Sequence, residues 1–128
     1  MTDLVLDTGA LIGIERNKPR MTALLAGVWQ RDDHLHIPAT VLAQAWRGQS
    51  VQARLAMFLK DRRVTVEPIT KILALAAGVL CQQSGTSDIV DATVVALARK
   101  LHLPVVTGDD SDIAALGALD GRLVIYKI

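Results

Sequence analysis

The chain has 128 residues and a formal net charge of +1, with 51% hydrophobic and 21% charged residues. This length favours a single domain over residues 1–128, with a core that needs no stapling, and the composition excludes a disordered chain. The lone cysteine excludes a disulfide framework and a cysteine-pair metal motif, while the small net charge says nothing for or against a nucleic-acid partner.

The chain shows no sign of export or membrane insertion. Its N-terminus lacks a basic segment followed by an apolar core, as a signal peptide would have. Charges or glycines interrupt every apolar stretch well before the roughly 20 residues that a membrane span needs. We therefore expect a cytoplasmic protein that does not contact a membrane.

Short apolar runs alternate with segments of helical periodicity along the chain. Threonines suit the starts of three helices, with Thr8, Thr40 and Thr70 as caps. Alternating strands and helices imply right-handed crossovers, which predicts a three-layer α/β/α sandwich around a mostly parallel sheet of four to five strands. The predicted strands are Leu4–Leu6, His34–Ile37, Val64–Val66, Val105–Thr107 and Leu123–Tyr126. The predicted helices are Gly9–Arg16, Met21–Arg31, a helix that carries Val41–Trp46, Val51–Leu59, a helix from Thr70 through Leu80, Ile89–Leu101 and Asp112–Leu119.

Aspartates follow two of the predicted strands. Asp7 closes the first strand, and Asp109 follows the fourth. The carboxyl ends of parallel strands share one edge of the sheet, and ligands of α/β folds bind there. A carboxylate directly after a central apolar strand is costly to bury unless something pairs with it. Asp7 is therefore the strongest single candidate for a functional residue.

Two further aspartates, Asp88 and Asp91, stand at the start of a predicted helix. Their spacing of three puts both on one face, and the helix dipole favours negative charge at this end. Clustered carboxylates repel unless a cation joins them, and Mg²⁺ or Mn²⁺ suits such an oxygen site. Such an ion would orient a phosphodiester and activate a water. The structural alternative is that Asp88 and Asp109 only cap helices.

Basic residues could complement such an acidic pocket. If several aspartates gather in one place, the remaining surface is net basic, which suits a polyanionic substrate. Arg47, beside Trp46, could reach a phosphate. The alternative is that the arginines are ordinary solvated side chains and that Trp46 packs on a helix face.

Three segments, in their order and spacing, resemble the PIN-domain ribonucleases of the VapC type, which are toxins of type II toxin–antitoxin modules. The resemblance covers essentially the whole chain. The segment LVLDTGALIGIER resembles the opening strand, with Asp7 as the first acidic residue and Thr8 after it. IPATVLAQAWRG resembles the second motif. TSDIVDATVVALARKLHLPVVTGDDSDIAAL resembles the last two motifs, with Asp91 and Asp109 at acidic positions and Asp112 at a further one.

This resemblance implies a PIN-like fold and a metal-dependent endoribonuclease that uses one or two Mg²⁺ or Mn²⁺ ions. It implies RNA as the substrate and a homodimer that assembles with a cognate VapB-type antitoxin into a hetero-oligomer. The C-terminal segment of that antitoxin is expected over the active-site groove. The expected catalytic metal ligands are Asp7, Asp91 and Asp109, and the expected neighbouring or substrate-binding residues are Thr8, Gln44, Arg47, Asp88 and Asp112.

One position departs from the family pattern. The second motif usually carries a glutamate, and Gln44 stands there in this chain. Glutamine offers a carbonyl oxygen but no charge, which predicts weaker metal binding and less carboxylate repulsion. Asp88, one turn before Asp91, could partly restore the charge. The departure leaves open the alternative of a catalytically impaired PIN-like domain that acts by binding antitoxin or RNA.

A second alternative is a phosphatase that forms an aspartyl-phosphate on Asp7. Such enzymes need another aspartate two residues after the nucleophile, and Gly9 occupies that position. This favours metal-dependent hydrolysis of RNA over a covalent phospho-enzyme.

Overall fold

A parallel β-sheet forms the centre of the structure, a computed structural model that describes residues 2–108, 113 and 123–128. Its five strands are β1 (Leu4–Leu6), β2 (Leu35–Pro38), β3 (Val64–Glu67), β4 (Val105–Thr107) and β5 (Ile125–Lys127). They lie in the order β3-β2-β1-β4-β5, and every neighbouring pair is parallel. The sandwich with a parallel sheet that the sequence predicts is therefore confirmed.

The direction of strand addition reverses at β1. The chain moves from β1 to β2 and β3 on one side, and then crosses back to β4 and β5 on the other side. In open α/β sheets, ligands bind in the crevice at such a switch point, outside the carboxyl ends of the strands. The residues that directly follow β1 and β4 therefore lie where this fold favours a ligand.

The described part of the chain contains six α-helices. Helix α1 contacts α2, α3 and α4, and α5 packs along α6, which also contacts β1 and β2. None of these helices has the length and hydropathy that crossing a bilayer requires. The helices are α1 (Thr8–Glu15), α2 (Pro19–Arg31), α3 (Ala39–Ala45), α4 (Ala53–Leu59, after a 3₁₀ turn at Ser50–Gln52), α5 (Lys71–Ser84) and α6 (Ile89–Leu101).

The core is built around β1 and α6. All three residues of β1 are buried, as is every residue of α6 from Ala92 to Ala98. Strands that are covered on both faces have no polar face, which is why β1 reads as a continuous apolar run rather than an alternating one. Edge strand β3, by contrast, contains no fully buried residue.

Some element boundaries differ from the prediction. Helix α5 continues beyond Leu80 to Ser84, because Gly85 adopts a left-handed φ of 75° and ends the helix there. The last strand is Ile125–Lys127, in register with β4, rather than Leu123–Tyr126. The predicted helix Asp112–Leu119 lies outside the described residues, apart from Ile113.

The predicted threonine caps give mixed results. Thr70 caps α5, where its hydroxyl accepts the N–H of Leu73 at 3.2 Å. Thr40 does not cap α3, because the helix begins one residue earlier, at Ala39. Its hydroxyl instead forms a 2.6 Å hydrogen bond with the hydroxyl of Thr93 on α6. Thr40 therefore joins two helices rather than starting one.

Candidate active site

A pocket of about 280 Å³ opens at the switch point between β1 and β4. The turn from β1 into α1 lines one side of it, and the end of β4 and the first turn of α6 line the other. The structure thus brings Asp7, Thr8 and Asp91 together, although they are far apart in the sequence. The described residues that line this pocket are Asp7, Thr8, Gly9, Ile12, Lys18, Asp91 and Gly108.

Hydrogen bonds hold the Asp7 carboxylate in place. Its Oδ1 accepts the backbone N–H of Ala10 at 2.9 Å, so that Asp7 is the N-cap of α1. The hydroxyl of Thr107 and the backbone N–H groups of Gly9 and Gly108 also donate to this carboxylate. Asp7 therefore has a structural role in starting α1 as well as a position in the pocket.

The Asp7 carboxyl is nearly inaccessible, and the residue is only 4% exposed. Burial raises the pKa of Asp7, and the hydrogen bonds from Thr107, Ala10, Gly108 and Gly9 offset only part of that effect. A nearby cation would favour the ionised form and oppose the effect of burial. A buried carboxylate with a raised pKa in a cleft is a recognised mark of a functional site.

Thr8 connects the pocket to α3. Its hydroxyl donates to Gln44 Oε1 at 2.5 Å. The predicted Thr8 cap is wrong, because Asp7 has the extended backbone of an N-cap and Thr8 is the first residue of the helix. Gln44 is exposed and lies behind Thr8 rather than in the pocket lining. The structure thus places Gln44 next to the site, held by Thr8.

Asp88 and Asp91 occupy different positions at the start of α6. Asp88 is the N-cap, and its Oδ1 accepts the backbone N–H of Asp91 at 3.0 Å. The structural role that the sequence allowed for Asp88 is therefore present, and Asp88 does not line the pocket. Any compensation by Asp88 for Gln44 would act from outside the pocket, and it stays a prediction. Asp91 lines the pocket, at the helix end that favours its charge.

Among the described residues, Arg47 is a predicted site residue that is not brought into the pocket. Arg47 Nη1 donates to the carbonyl oxygens of Ala43 and Trp46, at 3.2 and 2.7 Å, so the guanidinium lies against its own helix end. Asp109 and Asp112 lie outside the described residues. Gly108, the residue before Asp109 in the sequence, does line the pocket.

The described residues fit a magnesium-type ion only in part. Within residues 2–108, 113 and 123–128, no group of three His, Cys, Asp or Glu side chains could hold a metal. Asp7 and Asp91 would nevertheless offer two hard carboxylate oxygens to such an ion. Mg²⁺ keeps several waters and is commonly bound through one or two carboxylates together with substrate phosphate, so this donor set suits it.

Lys18 is a charged residue of the pocket that the sequence pattern did not indicate. It follows Asn17, which has a positive φ of 53°, and precedes Pro19 at the start of α2. The predicted break between the helices Gly9–Arg16 and Met21–Arg31 falls here, but only the structure shows that this turn returns to the pocket.

Two glycines allow the two sides of the pocket to meet. A Cβ on Gly9 would lie 2.8 Å from the Cα and N atoms of Gly108, and a Cβ on Gly108 would lie 2.9 Å from the Cα of Gly9. No side chain fits at either position, because backbone atoms cannot move aside as a flexible side chain can. This close approach brings the residues after β1 and β4 together.

Comparisons with known proteins agree with the fold. The family model described as PIN domain matches residues 4–119. One solved structure, a toxin–antitoxin complex from Klebsiella pneumoniae, matches this chain with a TM-score of 0.74 and 19% sequence identity. The match covers 98% of this chain and 99% of that one. A second solved structure is VapBC2 from Rickettsia felis, bound to a DNA fragment from its promoter. It matches with a TM-score of 0.73 and 16% sequence identity, and the match covers 98% of each chain.

A third solved structure is the VapC20 toxin of Mycobacterium tuberculosis, which cleaves the sarcin–ricin loop. It gives a TM-score of 0.63 at 18% identity, covering 88% of this chain and 94% of that one. At these identities the solved structures show a shared fold. Sequence comparison with curated proteins finds no match.

Proposed function

Because the chain belongs to the PIN-domain family, we propose that it is a metal-dependent endoribonuclease toxin of a type II toxin–antitoxin system. The observation that carries this proposal is the pocket at the switch point, where Asp7 and Asp91 meet. Family membership supports a nuclease of the toxin class, and the paired carboxylates support hydrolysis that depends on a divalent ion.

In this mechanism, Asp7 and Asp91 would hold Mg²⁺ or Mn²⁺, and Asp109 is proposed as a further ligand. When bound, such an ion would lower the pKa of a water and offset negative charge at the phosphodiester. The N–H of Ala10 and the hydroxyl of Thr107 fix the orientation of the Asp7 carboxylate. Hydrogen-bond partners of this kind orient metal ligands and tune the site.

Replacing Asp91 with asparagine tests the proposed activity. We expect Asp91→Asn to lower the rate of RNA cleavage by roughly a hundredfold or more. Loss of a metal ligand should reduce activity at least as much as loss of a residue that hydrogen-bonds to a metal ligand. RNA-end mapping after induced expression, together with growth, measures the effect. Asp32→Asn is the matched control, because Asp32 is exposed and at the C-terminal end of α2, away from the pocket.

The result separates three outcomes. Growth arrest and new RNA ends with wild type and Asp32→Asn, but not with Asp91→Asn, would support the proposal. Equal cleavage by Asp91→Asn would reject the assignment of the site. A folded wild-type protein that produces no new RNA ends with any divalent ion would favour the impaired, binding-only alternative.

Restoring a glutamate at Gln44 tests whether its missing charge matters. The Thr8 hydroxyl that donates to Gln44 can donate equally to a glutamate, which would hold the new carboxylate beside the pocket. We expect Gln44→Glu to tighten Mn²⁺ binding roughly tenfold, because an added charge near the ion is worth about 1 kcal/mol or more. Gln83→Glu, on the exposed part of α5, makes the same change in net charge away from the site. Equal Mn²⁺ affinity in both variants would show that position 44 does not act on the ion.

An antitoxin is the proposed protein partner, because structures with this fold include toxin–antitoxin complexes. A largely apolar groove of about 420 Å³ runs between α1, α2 and α4 and suits an amphipathic helix. The groove reaches Asn17, the neighbour of Lys18 in the active-site pocket. One antitoxin segment could therefore occupy the groove and continue over the active site.

A second copy of the chain is the proposed partner of α5. Ile72, Leu75 and Val79 lie along one side of this helix and are 79%, 62% and 54% exposed. Apolar side chains in a continuous exposed stripe mark an interaction surface, and twofold dimers are the commonest assemblies. This surface supports the proposed homodimer, which would join the antitoxin in a hetero-oligomer.

A further inference from the structure

We propose that Lys18 binds a phosphate of the RNA backbone at the outer end of the active-site pocket. This inference rests on the proposed ribonuclease function and extends it to substrate binding. The pocket runs along α1, with Asp7 and Thr8 at one end, Ile12 one turn further and Lys18 at the other end. Lys18 is thus part of the same cleft as the two carboxylates, although it lies in the turn after α1, as the N-cap of α2.

The backbone at Lys18 is fixed on both sides. Its N–H donates to the carbonyl of Gly13 at 2.9 Å, and its carbonyl accepts the N–H of Thr22 at 2.9 Å. Asn17 reverses the chain with a φ of 53°, and its side-chain oxygen accepts the Thr22 hydroxyl at 3.0 Å. The exposed ammonium therefore moves on a four-carbon stem whose base is held in place.

The charges around Lys18 suit a phosphate. Among the described residues that line the pocket, Lys18 is the cation and Asp7 and Asp91 are the anions. The ion pairs within the described part of the chain involve arginines and His36, and they leave Lys18 out. A lysine ammonium is a compact point charge that binds phosphate well. Lys18 thus offsets, for an incoming polyanion, the repulsion from the two carboxylates.

The distance along α1 indicates which phosphate Lys18 contacts. Eight helical residues separate the Asp7 end from the turn that carries Lys18, a rise of about 12 Å. The base of the Lys18 side chain thus lies about 12 Å along α1 from Asp7, which places its ammonium within reach of a phosphate next to the reacting one. A contact away from the reacting atoms is made equally in the ground state and the transition state, so its loss raises KM and leaves kcat nearly unchanged.

The test compares Lys18→Gln with Arg20→Gln. Both residues are exposed basic residues of the same turn, but Arg20 does not line the pocket. On the RNA identified by end mapping, we expect Lys18→Gln to raise KM roughly tenfold, as for one lost charge-assisted contact, with kcat within about twofold of wild type. Thermal unfolding of both variants checks that the fold is intact.

A binding measurement decides the question independently of cleavage. A short labelled single-stranded RNA is titrated with Asp91→Asn protein, with and without Lys18→Gln, at several KCl concentrations. Loss of one phosphate contact should reduce the slope of log K against log salt by about 0.7. An unchanged slope, or the same change with Arg20→Gln, would overturn the role of Lys18. The two proposals can fail separately. If Asp91→Asn abolishes cleavage but Lys18→Gln behaves like Arg20→Gln, the role of Lys18 is rejected and the proposed ribonuclease function is not.

Discussion

Asp7→Asn is expected to abolish RNA cleavage while leaving the fold at least as stable as wild type at neutral pH. Asparagine keeps an oxygen that can accept the N–H of Ala10, and it is as good an N-cap as aspartate. It removes a buried charge whose desolvation raises the pKa of Asp7. The same substitution therefore removes a proposed metal ligand and relieves an unfavourable burial.

The stability gain should depend on pH in a defined direction. A carboxyl group whose pKa is raised on folding stabilises the folded state below its unfolded pKa, and this contribution is lost as pH rises through the folded pKa. For Asp7 the unfolded value is 3.8. Asp7→Asn should thus gain unfolding free energy relative to wild type at pH 7 but not near pH 3. Urea unfolding in metal-free buffer at the two pH values measures this gain.

Asp7→Ala provides the contrast. Alanine removes the charge and also the acceptor for Ala10, so it should lower the unfolding free energy by about 0.5–2 kcal/mol relative to Asp7→Asn. Both variants should be equally inactive. An Asp7→Asn protein that cleaves RNA at the wild-type rate, or that unfolds as readily as Asp7→Ala, would contradict the dual role assigned to this carboxylate.

Gly108→Ala is expected to lower stability strongly, because it adds a methyl group where the two sides of the pocket are in contact. The new Cβ would lie 2.9 Å from the Cα and 3.1 Å from the carbonyl carbon of Gly9, both backbone atoms. Forcing these backbones apart should cost about 1–3 kcal/mol of unfolding free energy. Cleavage should fall as well, because the end of β4 and the turn that carries Asp7 would separate.

Gly78→Ala is the matched control for this substitution. Gly78 lies on the exposed part of α5, and a Cβ there would meet no atom within 4 Å. The same methyl group should therefore stabilise the protein by about 0.5–1 kcal/mol, by reducing the conformational freedom of the unfolded chain. Thermal or urea unfolding measures both. A Gly108→Ala protein as stable as Gly78→Ala would show that the two strand ends are not in tight contact.

The fold and part of the site could be predicted from the sequence because burial leaves a strong pattern. Covered strands such as β1 must be apolar throughout, and a carboxylate directly after one of them, Asp7, stands out against that background. The helical phase then placed Asp91 in the first turn of α6. The PIN resemblance drawn from the motifs agrees with the family match over residues 4–119.

Other features depend on contacts that a linear pattern does not contain. Aspartate and threonine are both good caps, so the sequence could not decide between Asp7 and Thr8 as the cap of α1. The structure decides it, because Asp7 has the extended backbone of a cap and accepts the N–H of Ala10. The contact between Gly9 and Gly108 follows only from the strand order. The position of Lys18 requires the left-handed turn at Asn17 and the packing of two helices.

The central claim is that Asp7 and Asp91 share one divalent ion. Calorimetric titration of Mn²⁺ into wild type, Asp7→Asn and Asp91→Asn tests this most directly, with Asp32→Asn as the control. We expect binding to wild type and Asp32→Asn, and a loss of at least roughly a hundredfold in affinity in each of the two pocket variants. If either Asp7→Asn or Asp91→Asn binds Mn²⁺ as tightly as wild type does, the claim of a shared ion is contradicted.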